Sequence, residues 1–284
     1  MLRSGWLIFS GLALMLTTFE SNAQSFYAIR RERSLIVSGG TGVATYMGEL
    51  ANPGDYLDAK LNLVGGLKYR VSQRIAVRTE LTWFQLRGSD DLADDVSRIK
   101  RNLSFSSNNF EVNLTGQISL FQNGKFFYQR PPFNVYGFGG IGMLYFNPTT
   151  KYQGTKYALQ PLKTEGVSYS RLVLAIPFGA GVRFRISPAI DVVVEGGYRK
   201  LFTDYLDDVS TTHPGPAAFS DPIAAALSDR RPEIGLPLAE AGSKRGNPER
   251  EDSYWLLNAK VEYYLPTNFG SRRKGSSRSK AGRR

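Results

Sequence analysis

The sequence predicts an all-β fold: an eight-stranded antiparallel up-and-down transmembrane β-barrel with short periplasmic turns and long extracellular loops. Three observations lead there. Eight segments, at about 33–46, 57–71, 74–87, 104–120, 132–147, 170–185, 190–203 and 252–265, alternate apolar and polar residues with period two, and each outruns an ordinary strand of about 5–6 residues. The connections after the second, fourth and sixth segments are short, whereas those after the first, third, fifth and seventh are long. The composition suits a pleated sheet, with 29 Gly, 15 Tyr and 17 Phe among 284 residues.

The chain opens on MLRSGWLIFSGLALMLTTFESNAQ, in which Arg3 precedes an apolar run from Trp6 to about Leu16 and small residues Ser21 and Ala23 close the segment. This is the pattern of a secretory signal cleaved after Ala23. The apolar run stops at Glu20, short of the ~20 residues that a spanning helix needs. Residues 24–32 then form an N-terminal periplasmic segment, 33–265 the barrel and 266–284 a basic periplasmic tail, expected to be disordered. With no Cys, neither a disulfide scaffold nor a thiolate metal site is available.

Each barrel segment has a dry face and a wet face. In the last, Trp255, Leu257, Ala259, Val261, Tyr263 and Leu265 alternate with Asn258, Lys260 and Glu262. In the third, Ile75, Val77, Leu81 and Trp83 oppose Arg74, Arg78 and Glu80; in the second, Leu61, Leu63 and Leu67 oppose Lys68 and Arg70. Alternation alone also fits a soluble barrel with an apolar interior. Three features place the dry face outside instead. Trp83, Tyr145, Phe184 and Tyr263 lie toward segment ends, where a headgroup girdle belongs. The charged face carries both signs and many glycines, and the connection lengths are asymmetric in the manner of a barrel with one end in the periplasm. The expected location is therefore the cell outer membrane, with its lipid as one partner.

An interior of eight strands is just wide enough for side chains. Arg78, Glu80, Glu111, Arg183, Glu195, Arg199, Lys260 and Glu262 are expected to meet across strands as ion pairs that plug the lumen, since buried charges need partners. A narrow ion or solute pore is the alternative.

The remaining motifs carry less chemistry. The net charge of +11 invites nucleic acid, but seven basic residues and no acid lie in the tail, among them Arg272, Arg273, Lys274, Arg278 and Lys280. Export removes the rest from nucleic acid, so none is expected as a partner. The tail reads as a solvated extension, or as a polycation that holds an acidic periplasmic partner or anionic peptidoglycan. Glycine runs at 39–42, 137–142 and 178–181 lie within strands, not between a strand and a helix as a phosphate loop requires. Asp90, Asp91, Asp94 and Asp95, and further along Asp204, Asp207 and Asp208, are carboxylates of the kind Ca²⁺ takes, yet their spacing is not that of a calcium loop and they read as solvated loop tips. The sole histidine, His213 in TTHPGP, has no oriented nucleophile beside it, so no enzyme and no cofactor is expected. The long fourth loop shows one short helical stretch, Pro222 to Asp229, and is either a contact surface or a mobile loop.

The strings RNLSF at 101–105, YALQPLKTEG at 157–166, IPFGAGVRF at 176–184, GYRKLFTDYLDDVS at 197–210 and RGNP at 245–248 resemble the PorG-like family of outer-membrane β-barrels, associated with the type IX secretion system. The resemblance runs from about Leu35 to Leu265, and the basic tail beyond Phe269 is not part of it. It implies an eight-stranded barrel and an assembly or anchoring role, with periplasmic secretion-ring or gliding-motor proteins as partners. A surface-exposed binding protein is the competing class.

Overall fold

Period-two alternation becomes closed strand pairing in the computed structural model, which describes residues 33–51, 59–124 and 126–266. The expected signal, the N-terminal segment and the basic residues of the tail lie outside the described residues. Eight long strands, β1 (Leu35–Met47), β2 (Lys60–Arg70), β3 (Ile75–Ser89), β4 (Ser104–Ser119), β5 (Phe133–Tyr145), β8 (Leu172–Arg185), β9 (Ile190–Leu201) and β10 (Ser253–Tyr264), pair in the order β3-β2-β1-β10-β9-β8-β5-β4, and a β3–β4 pairing closes the ring. All pairings are antiparallel, and the seam joins β1 to β10 in a register that sets Gly40 opposite Lys260. Closure leaves no open edge among the eight strands of the ring, which a barrel in lipid could not tolerate.

The exterior is apolar. Along β10, Trp255, Leu257, Val261 and Tyr263 are exposed while Asn258, Lys260 and Glu262 are buried. The same inversion holds in β2, where Leu61, Leu63 and Leu67 face out and Lys68 faces in, and in β3, where Leu81 faces out and Arg78 faces in. A soluble barrel would bury the leucines. This one presents them to lipid, as transmembrane strands do.

Two features were not readable from alternation. The third outer loop carries a further hairpin, β6 (Pro148–Tyr152) and β7 (Thr155–Ala158), that continues from the outer end of β4. Its two-residue turn, Gln153-Gly154, has φ of 48° and 81°, the double left-handed conformation of a tight hairpin turn, normally announced by Asn-Gly or Asp-Gly. The lumen is also not polar throughout. Toward the outer end, Phe84, Leu86, Leu144, Phe146, Leu201, Tyr254 and Leu256 form an apolar core with Phe105, Leu206 and Leu227, and Phe84 stacks on Tyr254 at 4.8 Å.

The periplasmic mouth is closed by the second short turn. A single 3-10 turn over Phe127–Gln129 lets Phe127 pack against the inward-facing Ile36 and Tyr264. Arg130 then pairs with Asp191 at 2.8 Å and lies 3.8 Å from the centre of the Tyr264 ring.

Candidate functional site

Functional side chains gather in two places, the middle of the lumen and the cap over the outer mouth. In the lumen, Arg78 on β3 lies 2.7 Å from Glu195 on β9 and 3.2 Å from Glu80 on its own strand. Lys260 on β10 lies 2.7 Å from Glu80 and 2.6 Å from Glu195. Two bases and two acids thus close a ring across the barrel axis, with the Tyr136 hydroxyl donating to Glu195 at 2.6 Å. Below it Glu262 pairs with Lys68 and, at 3.2 Å, with Arg183. Above it Arg199 lies 3.5 Å from Glu111, which also accepts from Tyr254. Lys68, on the wet face the alternation assigns to the second segment, joins the same interior, as do Arg130 and Asp191, which the sequence reading does not single out although Asp191 alternates with apolar residues just as the others do.

Room for this ring is made by missing side chains. A Cβ on Gly181 would lie 2.6 Å from the Tyr136 ring, and one on Gly197 would lie 2.6 Å from the Arg199 guanidinium and 2.7 Å from Phe138.

The outer cap is built from four loops, represented among the described residues by 48–51, 90–103, 146–171 and 202–252. Two short helices belong to it, α1 (Val96–Arg101) and α2 (Pro222–Ser228), each begun by an aspartate, Asp95 or Asp221, whose side chain accepts a backbone N–H of the first turn. Its centre is Arg245, which lies 2.7 Å from Glu165 and donates to the carbonyls of Asp208 and Ser228 at 2.6 and 3.1 Å. Glu165 also accepts from the backbone of Ser210 and Thr211, both at 2.9 Å, and from the Thr211 hydroxyl at 2.7 Å. Asp208 accepts from Thr164 and, at 2.6 Å, from Tyr169. Three of the strings that carry the family resemblance, LQPLKTEG, TDYLDDVS and RGNP, therefore meet in one buried network.

Solvated loop tips are the wrong description of most of these carboxylates. Asp90 is fully buried, held by Arg101 at 2.8 Å and Arg98 at 3.3 Å and accepting the Leu103 backbone N–H. Asp207 and Asp208 are 1 % and 2 % exposed. Only Asp91, Asp94 and Asp95 of the second loop remain in solvent, and Asp95 is engaged as the cap of α1. The physical reason is the apolar interleaving: Leu206 and Val209 dock into the outer core and carry the flanking aspartates inward.

Burial sets the protonation of the cap. The Tyr46 hydroxyl lies 2.7 Å from Asp207 and 2.8 Å from Asp252, and one phenol proton cannot serve both. Burial pushes Asp207 up to about 8, with Glu49 adding to it, and raises Asp252 as well, so the pair holds an acid proton of its own. Burial likewise brings Glu49 and Asp204 to about 7. Glu165 runs the other way: burial opposes its charge, but Arg245 and the donors around it hold its carboxyl below the ordinary range. His213 is driven down to about 4 by burial and by Arg245. It is a neutral imidazole at pH 7 whose backbone is tied to Ser243 and Gly242. Among the described residues no group of His and carboxylate side chains has the arrangement of a metal site.

The sequence matches the family described as a domain of unknown function, DUF6089, over residues 26–216. The chain belongs to this family. The match takes in β1 to β9 and stops inside the fourth outer loop, before RGNP and β10. No curated protein matches the sequence. Among solved structures the chain is similar to the Neisserial surface protein A, at 9 % identity and a TM-score of 0.40, covering 82 % of this chain and 97 % of that one. It is similar to Ail of Yersinia pestis, at 12 % identity and a TM-score of 0.39 over 82 % and 100 % of the two chains. OprG of Pseudomonas aeruginosa is similar at 8 % identity and a TM-score of 0.39 over 84 % and 100 %. These are outer-membrane barrels, and the family member described here has the same architecture on the strength of its own closed ring and inverted faces.

Proposed function

We propose that the chain is a non-enzymatic anchor: a barrel fixed in the outer membrane that offers its two ends to other components and passes nothing through its middle. The observation that carries this is the stacked closure of the lumen. Phe127 fills the periplasmic mouth, the Arg78–Glu195–Lys260–Glu80 ring fills the centre, and the Phe84–Tyr254 layer fills the outer third. Interior charges that are all committed to partners leave no free site for a moving ion. Reconstituted protein in a planar bilayer is expected to give no steady openings; large steady openings would establish the pore reading instead.

The finer reading is an assembly or anchoring component linked to type IX secretion or gliding machinery. Its support is the family resemblance, three of whose strings lie together in this chain at the Arg245–Glu165 network. Under this reading the short turns and the basic tail, Arg272 to Lys280, are presented to periplasmic ring or motor proteins. The test is affinity recovery of the intact barrel from cross-linked cells. Recovery of ring or motor components supports the link, and recovery of only unrelated envelope proteins removes it.

A further inference from the structure

A cleft of about 620 Å³ opens between the first, second and fourth outer loops. That volume lies within the ~300–1,000 Å³ of small-ligand sites. Its lining is lopsided in charge: Lys100, Arg101, Arg231, Lys244, Arg245 and Arg250 contribute cations, whereas Glu49 and Asp95 are the only acids among the lining residues. The two acids offset only part of that charge, and both are already engaged. Asp95 is turned onto the backbone and hydroxyl of Ser97, both at 2.8 Å, and Glu49 accepts the backbone N–H of Asn247.

The cations divide by role. Arg101 and Arg245 are fixed in the floor by their own carboxylates, Asp90 and Glu165, and Arg231 lies 3.3 Å from Asp229. Lys100, Lys244 and Arg250 stand exposed on the rim, and among the described residues none has a carboxylate within ion-pair distance. They come from loops far apart in sequence, so their convergence is a product of the cap. Like charges brought together this way repel one another unless an anion sits between them, and lysine and arginine are the side chains that hold phosphoryl groups.

We propose that this outer cleft is a binding site for a ligand bearing phosphate monoesters, with Lys100, Lys244 and Arg250 as its grip and Arg101 and Arg245 as its floor. Such groups reach the outer face of the membrane either on a lipid headgroup or on a soluble saccharide. The chemistry of recognition is the same, and the experiment separates the sources.

The barrel is placed in phosphocholine nanodiscs, and inositol hexakisphosphate is titrated by calorimetry at 50 and 300 mM NaCl. Binding in the micromolar range that weakens at least tenfold at the higher salt is expected. The triple variant Lys100→Ala, Lys244→Ala, Arg250→Ala is expected to lose at least tenfold in affinity with an unchanged melting temperature, and the arginine variant of both lysines to keep it. Truncation after Phe269 controls for the basic tail. Equal binding by wild type and triple variant, loss of binding only on truncation, or no binding at 50 mM salt would each overturn the proposal. Doping the nanodiscs with lipid A weakens the titration if the headgroup is the occupant and leaves it unchanged if the ligand is soluble.

Discussion

Arg245 reaches Glu165 across 2.7 Å while 80 residues separate them along the chain, and that ion pair is the charged centre of several contacts that tie the fourth outer loop to the third. Both side chains are buried. Removing Arg245 leaves Glu165 buried without its counter-ion, held only by the Ser210 and Thr211 donors; losing one partner of a buried pair costs ~3–5 kcal/mol. Arg245→Ala should therefore release the cap without unfolding the barrel. Hydrogen exchange should show protection falling at Ser210, Thr211 and Gly246 while β4 and β10 keep theirs; uniform loss over the whole barrel would contradict a cap that opens by itself.

The cap should loosen as pH rises. Asp207 at about 8 and Glu49 and Asp204 at about 7 are all raised, so the folded cap binds protons more tightly than the opened one. Their stabilisation is complete below the ordinary carboxylate range and is lost as pH climbs through 7 to 8. Limited proteolysis of the fourth loop should be slow at pH 6 and faster at pH 9, and Asp207→Asn should flatten that dependence. Glu165 has the opposite sign, so its share fades on acidification below the usual carboxylate values.

In the lumen, Glu195 serves Arg78, Lys260 and Tyr136 together. Glu195→Ala leaves two buried cations, Arg78 and Lys260, to share Glu80 alone and should cost ~3–5 kcal/mol of barrel stability, read as a lower urea midpoint in detergent. The variant is expected to give no steady openings in a planar bilayer, because Phe127 and the Phe84–Tyr254 layer are untouched.

The outward apolar face is open to a direct test at Leu257, near the middle of β10 and 55 % exposed. In a water-soluble barrel an exposed leucine can become arginine at little cost. On a lipid-facing strand near the bilayer midplane Leu257→Arg should cost ~2–4 kcal/mol, measured by equilibrium refolding into liposomes; a neutral result would argue against lipid contact there.

Chelation should leave the melting temperature alone. Asp90 already has Arg98 and Arg101 as its partners, so the second loop has no need of a cation. A fall on adding a chelator would reopen the calcium reading of Asp90, Asp91, Asp94 and Asp95.

The strands were legible because a side chain's face in a sheet depends only on parity, and Leu61-Asn62-Leu63 or Leu257-Asn258-Ala259 declare theirs locally. Partnership is not local. That Tyr46 would meet Asp207, 161 residues on, depends on how a long loop folds back over the barrel mouth, and no periodicity records it. The TDYLDDVS string held a usable signal, since Leu206 and Val209 would have had no reason to alternate with aspartates in a loop that stayed in water. The β6–β7 hairpin escaped because Gln-Gly is a weak turn announcement. The apolar outer lumen escaped because residues such as Trp255, Leu256 and Leu257 make a continuous run, in which the inward member is hidden by its neighbours.

The seam between β1 and β10 has a consequence for biosynthesis. The N-terminal strand must wait, one flank unpaired, through the synthesis of some two hundred residues, including all of the fourth loop, before its permanent neighbour exists. Nothing before residue 253 can substitute. A shortened product ending in that loop would carry two bare flanks, on β1 and on β9, which are adhesive in water and intolerable in hydrocarbon. Closure of the ring therefore waits on the final strand, which supplies the neighbour that β1 and β9 both lack until then.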